Sequence, residues 1–238
     1  MRDTAGLPPG QHEVGVLLRF GLTPFAVRFP KVVDRVVLNV EGEVATALEV
    51  GAQLEQRLPR IEQTSDLHCV TTWSRRGLRW SGFRFADFYR LIALPLAGAA
   101  HDARFVVLRG QDGARTSLPL DDLLAPDVLL ADRLDDHPLP IARGAPLRLI
   151  APGHYGYKSV KYIHRVEFRR SAAGYRPTGL RWMHHPRARV ALEERGQGLP
   201  GWLLRRLYRP LIGPTAAYFE RTLQQRQGAA SSPMERSS

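Results

Sequence analysis

The chain has one thiol, Cys69, in 238 residues. A lone cysteine forms no intrachain disulfide, no Cys-ligated iron–sulfur cluster and none of the paired-cysteine zinc patterns. Three roles stay open to it: a small buried hydrophobe, a nucleophile, or a thiolate ligand to a soft metal. His68 lies next to it in DLHCV. Neighbours on an extended segment point to opposite faces, which argues against a Cys–His pair. The eight histidines are scattered apart from His184 and His185, and there is no H-E-x-x-H. A metal at Cys69 would therefore bring most of its own ligands.

A second concentration of chemistry is the cationic, glycine-rich run RGAPLRLIAPGHYGYKSVKYI, 143–163. If 159–168 is extended, Ser159 and Lys161 share a face and Lys158 points the other way. With Arg148 on the preceding strand, that hydroxyl and those cations can hold a phosphate through charge-assisted hydrogen bonds. The segment is not a P-loop, because Tyr157 separates Gly156 from Lys158. Taken on its own, it also fits solvated lysines on an edge strand.

These groups need a scaffold. Residues 14–20 and 35–40 are rich in β-branched and aliphatic types and predict strands, whereas 48–58 predicts a helix ending before Pro59. Residues 66–70 read as a strand end, so Cys69 sits where strand becomes loop, and 83–94 places Phe85, Phe88, Tyr89 and Ile92 at helical spacing. Residues 105–108 predict a buried strand, 120–124 and 126–134 short helices, and 147–150 and 160–168 further strands. The interleaving indicates a mixed α+β domain over 1–170.

The remainder changes character. Residues 171–228 are arginine-rich, and Leu203, Leu204, Leu207 and Tyr208 form an apolar stripe against Arg205, Arg206 and Arg209. This reads as a helical extension that packs on the domain or docks it to a membrane surface or partner protein. Residues 229–238 read as a disordered tail.

Lys plus Arg number 34 against 23 acidic residues, a net charge of +11, and 44% of residues are apolar. That composition excludes fibres and wholly disordered chains and suits an anionic partner or cofactor. No apolar stretch approaches the roughly 20 residues of a membrane span. The N-terminal residues show neither an apolar signal core nor a twin-arginine pair, so a cytoplasmic location is expected.

DLHCVTTWS (66–74), followed by WSG (80–82), resembles the molybdenum-ligating segment of the sulfite oxidase family. PLPIARGAPLRL and PGHYGYKSVKYI resemble that family's pterin-phosphate loop: a GxPxR stretch, a glycine-rich turn and a K-S-x-K-like strand. VEGEV (40–44) precedes both, and the likeness runs over about 8–168. It implies a sulfite-oxidase-like α+β fold and a molybdenum held by the dithiolene of one molybdopterin and by the thiolate of Cys69. Arg143 and Arg148 fall on cofactor-binding positions, and Ser159, Val160 and Lys161 on the phosphate cradle. Lys158, His68 and, through LLRFG (17–21), Arg19 are further cofactor contacts on this likeness; Arg109 is a weaker one.

Sulfite-oxidising members have an active-site tyrosine where LLAD (129–132) places Asp132, and their arginine-rich segment after the cysteine is VTTW (70–73) here. An acid there repels a sulfite dianion. The resemblance therefore implies two-electron oxygen-atom transfer to or from a small substrate, with sulfoxide or N-oxide reduction ahead of sulfite oxidation. No haem domain is recognisable, so electrons pass to or from a separate protein such as a cytochrome. Trp73 and Trp80 are candidate pocket walls. The alternative is a non-catalytic basic module on a membrane or nucleic acid; without interleaved aromatics for base stacking, nucleic acid is disfavoured.

Overall fold

A computed structural model describes residues 6–231. The first sheet contains β1 (His12–Glu13), β4 (Arg60–His68), β5 (Trp73–Arg84), β8 (Leu129–Leu134), β9 (His137–Pro138) and β10 (Arg148–Ile150). Its path is β1-β5-β8-β10, with β4 also on β5 and β9 on β8. The second contains β2 (Leu38–Gly42), β3 (Leu48–Val50), β6 (Phe105–Gly110), β7 (Arg115–Pro119) and β11 (Ile163–Arg169), ordered β3-β2-β11-β6-β7. Three short helices, α1 (Gln53–Arg57), α2 (Phe85–Phe88) and α3 (Leu120–Leu123), join the strands. Two more, α4 (Gly201–Tyr208) and α5 (Ile212–Ser231), follow them. The architecture is α+β with mixed sheets, as the sequence implies.

The main core lies between the sheets. On β2, Leu38 and Val40 are buried while Asn39 and Glu41 are only partly covered, the period-2 pattern of a strand with one face inward. Phe85, Phe88 and Ile92 enter the same cluster with Val106, Leu108, Val166 and Phe168. Each such side chain contributes about 1.5–3 kcal/mol by leaving water. Trp73, Trp80, Leu129 and Ala131 form a second cluster around Cys69.

Several local expectations are corrected. Only His12 and Glu13 pair near the N-terminus, and residues 14–20 are irregular chain. Leu48–Val50 is a strand against β2, and helix begins only after Gly51, leaving α1 five residues long. Phe83 and Arg84 end β5, and α2 runs on into a single π turn, Tyr89–Ala93. Leu129–Leu134, read as helix, is a central strand between β5 and β10. A short continuous apolar run fits either element, and pairing with neighbours on both sides decides it. Residues 159–162 bend instead of extending, with Tyr162 at φ +57°, and the strand starts at Ile163.

The close approach of β5 to β8 requires Gly82. A Cβ there would lie 2.2 Å from Leu130 O and 2.7 Å from Ala131 Cα. Gly82→Ala is expected to cost about 2–3 kcal/mol, seen as a fall of several degrees in thermal melting. An unchanged melting temperature contradicts this register.

Candidate functional site

Cys69 sits at the tip of the β4–β5 hairpin. Its N–H donates to Trp73 O (2.8 Å), and Thr72 N–H donates to Cys69 O (3.1 Å). Thr72 at φ +88° closes the turn. Three long-range contacts brace it: Gln11 Nε2 donates to Cys69 O (3.1 Å), Ser74 Oγ to Gln11 Oε1 (3.0 Å), and Arg195 to Val70 O (2.6 Å). Arg195 is fully buried, with its guanidinium 5.0 Å from the Tyr155 ring centroid. The cysteine loop is thus held by the chain's beginning and by its arginine-rich last third, neither of which sequence spacing revealed.

His68 does not face the thiol. Its Nδ1 is 2.7 Å from Ser74 Oγ. Ser74 gives its one proton to Gln11, so His68 Nδ1–H is the donor in this network. Burial lowers the His68 pKa against the opposing pull of Asp66. It lies outside the cavity wall and acts on the hairpin, a correction to its place among the cofactor contacts.

Cys69 Sγ lies 3.1 Å from Thr71 Oγ1 and lines a cavity of about 380 Å³. Burial pushes the thiol pKa up; Thr71, Arg195 and Lys161 pull it down. That opposition suits a sulfur which becomes a thiolate only when a cation sits against it.

The same cavity is lined by Arg19, Arg143, Arg148, Ser159, Val160 and Lys161. Arg148 is held at the back: Nη1 donates to Arg143 O (2.7 Å), Nη2 to Ser159 O (3.4 Å), and the guanidinium stacks 5.1 Å from the Trp80 ring. Ser159 Oγ accepts from Ala151 N–H (3.2 Å). Gly144, at φ +114°, packs so tightly that a Cβ would lie 3.1 Å from Arg148 and 3.2 Å from Lys161. Tyr162, on the same bend, donates from its hydroxyl to Ile141 O (2.8 Å). Arg19 is fixed from the far side, donating to Ala26 O (2.9 Å), Phe219 O (3.0 Å) and Thr222 Oγ1 (3.1 Å).

Two other sequence candidates lie elsewhere. Lys158 turns away from the cavity and donates to Ser117 O (2.7 Å) and Pro186 O (2.8 Å), satisfying backbone carbonyls. Arg109 pairs with Glu167. Both are structural, as is Trp80, which backs Arg148, whereas Trp73 reaches the wall. Asp132 is also outside the wall, paired bidentately with Arg60 at 2.7 and 2.8 Å. Its predicted repulsion of sulfite therefore does not arise.

The cation cluster is short of anions. Among the described residues Asp112 is the one carboxylate in the cavity wall, and burial raises its pKa. Arg143 Nη1 is buried with no hydrogen-bond partner among the described residues. Buried polar groups are normally satisfied, and five Arg and Lys side chains in one cavity wall, Arg19, Arg115, Arg143, Arg148 and Lys161, suit a polyanion. The donor set fits a phosphate-bearing cofactor whose other end reaches a thiol.

Burial, then Arg148, Arg19 and Arg143, pull the Lys161 ammonium down to about 7; burial does the same to Lys158. In the unfolded chain both return to about 10.4. Between these values the unfolded state binds more protons, so the stability of the anion-free chain rises as pH goes from about 7 to about 10. Inorganic pyrophosphate is expected to raise the melting temperature more at pH 6 than at pH 9. Equal shifts contradict a protonated Lys161 as its partner.

The outer wall comes from α4, α5 and the turn between them: Tyr208, Leu211, Thr215 and Phe219. Phe20 stacks on Phe219 (6.4 Å) and meets Trp73 edge-on (6.0 Å). Met183 adds another apolar group. The outer wall is thus mostly apolar, while Arg143, Arg148 and Lys161 line the cavity from the 143–161 segment.

One thiol and a cation cluster face a shared cavity, carried on two mixed sheets. Residues 26–175 match the oxidoreductase molybdopterin-binding domain, and the chain belongs to that family. Over those residues it is accordingly an oxidoreductase domain of the molybdopterin-binding type.

The chain is 37% identical over 131 residues to the oxidoreductase YuiH of Bacillus subtilis, covering 55% of this chain and 64% of that one. It is 34% identical over 127 residues to an Azospira oryzae protein named as a methionine-sulfoxide reductase subunit, YedZ1, covering 52% and 46%. The sulfane dehydrogenase SoxCD of Paracoccus pantotrophus shares the fold, with a TM-score of 0.51 and 21% identity over 59% of this chain and 40% of that one. These matches span less than two thirds of each relative.

Proposed function

We propose that this chain reduces an oxo-donor substrate, a sulfoxide or N-oxide, by two-electron oxygen-atom transfer at a molybdenum ligated by Cys69, with electrons supplied by a separate protein. The carrying observation is that Cys69 and Arg19, Arg143, Arg148 and Lys161 line one cavity. Bound there, the cofactor supplies the oxo-accepting metal and the redox equivalents. Arg143, Arg148 and Lys161 would hold its phosphate, with Ser159 and Val160 shaping that end. The braced hairpin fixes the sulfur, and Trp73, Phe20 and Tyr208 exclude water. The overall change takes R₂S=O, two electrons and two protons to R₂S and water.

The choice of an uncharged substrate is supported by the apolar outer wall of the cavity and by the name of the Azospira relative. Full-length protein loaded with cofactor and supplied with a reduced viologen dye tests this reading. Dye oxidation with dialkyl or aryl sulfoxides, exceeding sulfite-dependent reduction of ferricyanide, is expected. Faster turnover of sulfite contradicts it.

A further inference from the structure

The arginines of the last third fall into two sets. Arg195 and Arg205 both reach Glu193 (3.1 and 3.2 Å), Arg189 reaches Glu194 (2.6 Å), and Arg187 pairs with Asp122. Arg206 and Arg209 are exposed and make no ion pair with any described residue. Residues 199–212, LPGWLLRRLYRPLI, contain three arginines and no carboxylate.

The apolar residues around them divide in the same way. Leu204 and Tyr208 bury the inner side of α4. Trp202 and Arg206, four apart, share the outer side. Exposure reaches 58% for Trp202, 52% for Leu207 and 54% for Leu211. Scattered surface leucines need no explanation, but a tryptophan and two leucines interspersed with unpaired arginines along α4 and the turn after it form a patterned surface.

From this we infer that the outward side of α4 and the following turn docks on an anionic lipid surface. Unpaired guanidinium groups match lipid phosphates, while Trp202, Leu207 and Leu211 enter the headgroup boundary as interfacial helices do. Three arginines without a carboxylate between them match a surface of many phosphates, which suits an anionic lipid layer. Among the described residues no helix is long and apolar enough to cross a membrane, so the contact is peripheral. Leu211 also lines the cavity, so docking places the cavity mouth beside the lipid.

The test is co-sedimentation of the full chain with phosphatidylcholine vesicles, with or without about 30% phosphatidylglycerol, at about 50 and 500 mM salt. Binding is expected only to the anionic vesicles, weakening sharply at high salt. Arg206→Glu with Arg209→Glu should weaken it at least about ten-fold, and Trp202→Ser with Leu207→Ser should do likewise at unchanged circular dichroism. Arg57→Glu with Arg90→Glu makes the same charge change at exposed positions elsewhere and should bind nearly as the parent. Equal loss in that control would reduce the effect to net charge and overturn the assignment. So would binding to neutral vesicles alone, no vesicle binding, or full retention in the Arg206/Arg209 variant.

Discussion

Replacing Cys69 with Ala leaves a folded chain that still takes up the pterin but loses turnover by a factor on the order of 10³ or more, the range for removing a group that touches the reacting centre. The hairpin tip is held by backbone bonds and by Gln11 and Arg195, none of which uses the sulfur. Losing a thiol at a cavity wall leaves no orphaned backbone group, so folding survives. The phosphate end is gripped by other residues, so pterin content stays within a few-fold of the parent. Oxygen-atom transfer with a viologen donor and fluorimetric pterin assay read the two quantities separately. Turnover within ten-fold of the parent would show that the sulfur is a bystander.

Lys161→Glu separates cofactor binding from stability in opposite directions. Lys161 faces Arg148, Arg19 and Arg143 without a hydrogen bond or ion pair from a described residue, and burial with those neighbours lowers its pKa to about 7. A carboxylate at that place relieves like-charge repulsion, so the anion-free chain should melt at a higher temperature. The same carboxylate opposes phosphate, and affinity for the cofactor should fall on the order of 100-fold or more. Lys161→Met removes charge without reversing it and should lie between parent and Lys161→Glu in both readouts. Unchanged pterin occupancy in the Glu variant would take Lys161 out of the site.

What was legible in the sequence follows from how local each signal is. The lone thiol and the run 143–163 are contiguous, and their residue types narrow the chemistry without a structure. The places where local reasoning failed are those where a distant partner decides. Residues 129–134 carry the apolar run of a buried helix or strand, and β5 and β10 on either side make it a strand. Ser159 and Lys161 both line the cavity as expected, but through a bend with a left-handed Tyr162, not through strand alternation. Lys158, which alternation already set on the other face, is a cofactor contact only on the family likeness, and it satisfies two carbonyls, from β7 and from the segment before α4. Asp132 looked like a substrate filter and is spent on Arg60, seventy-two residues away.

The last third was the least legible part. Its arginines read as a uniform basic extension, yet Arg195 is a buried brace of the cysteine loop while Arg206 and Arg209 point outward. Phe219 and Thr222 hold Arg19 across about two hundred residues of chain. No periodicity within α5 reports that contact, because what it satisfies belongs to the N-terminal segment.

The most direct measurement is X-ray absorption at the molybdenum edge, on protein expressed with molybdate, for the parent and Cys69→Ser. About one molybdenum per chain is expected, with the sulfur coordination number one lower in the variant, since the dithiolene sulfurs stay and the thiolate goes. An identical sulfur shell in both proteins, or parent protein that carries pterin and no molybdenum under those conditions, would contradict a thiolate-bound metal at Cys69.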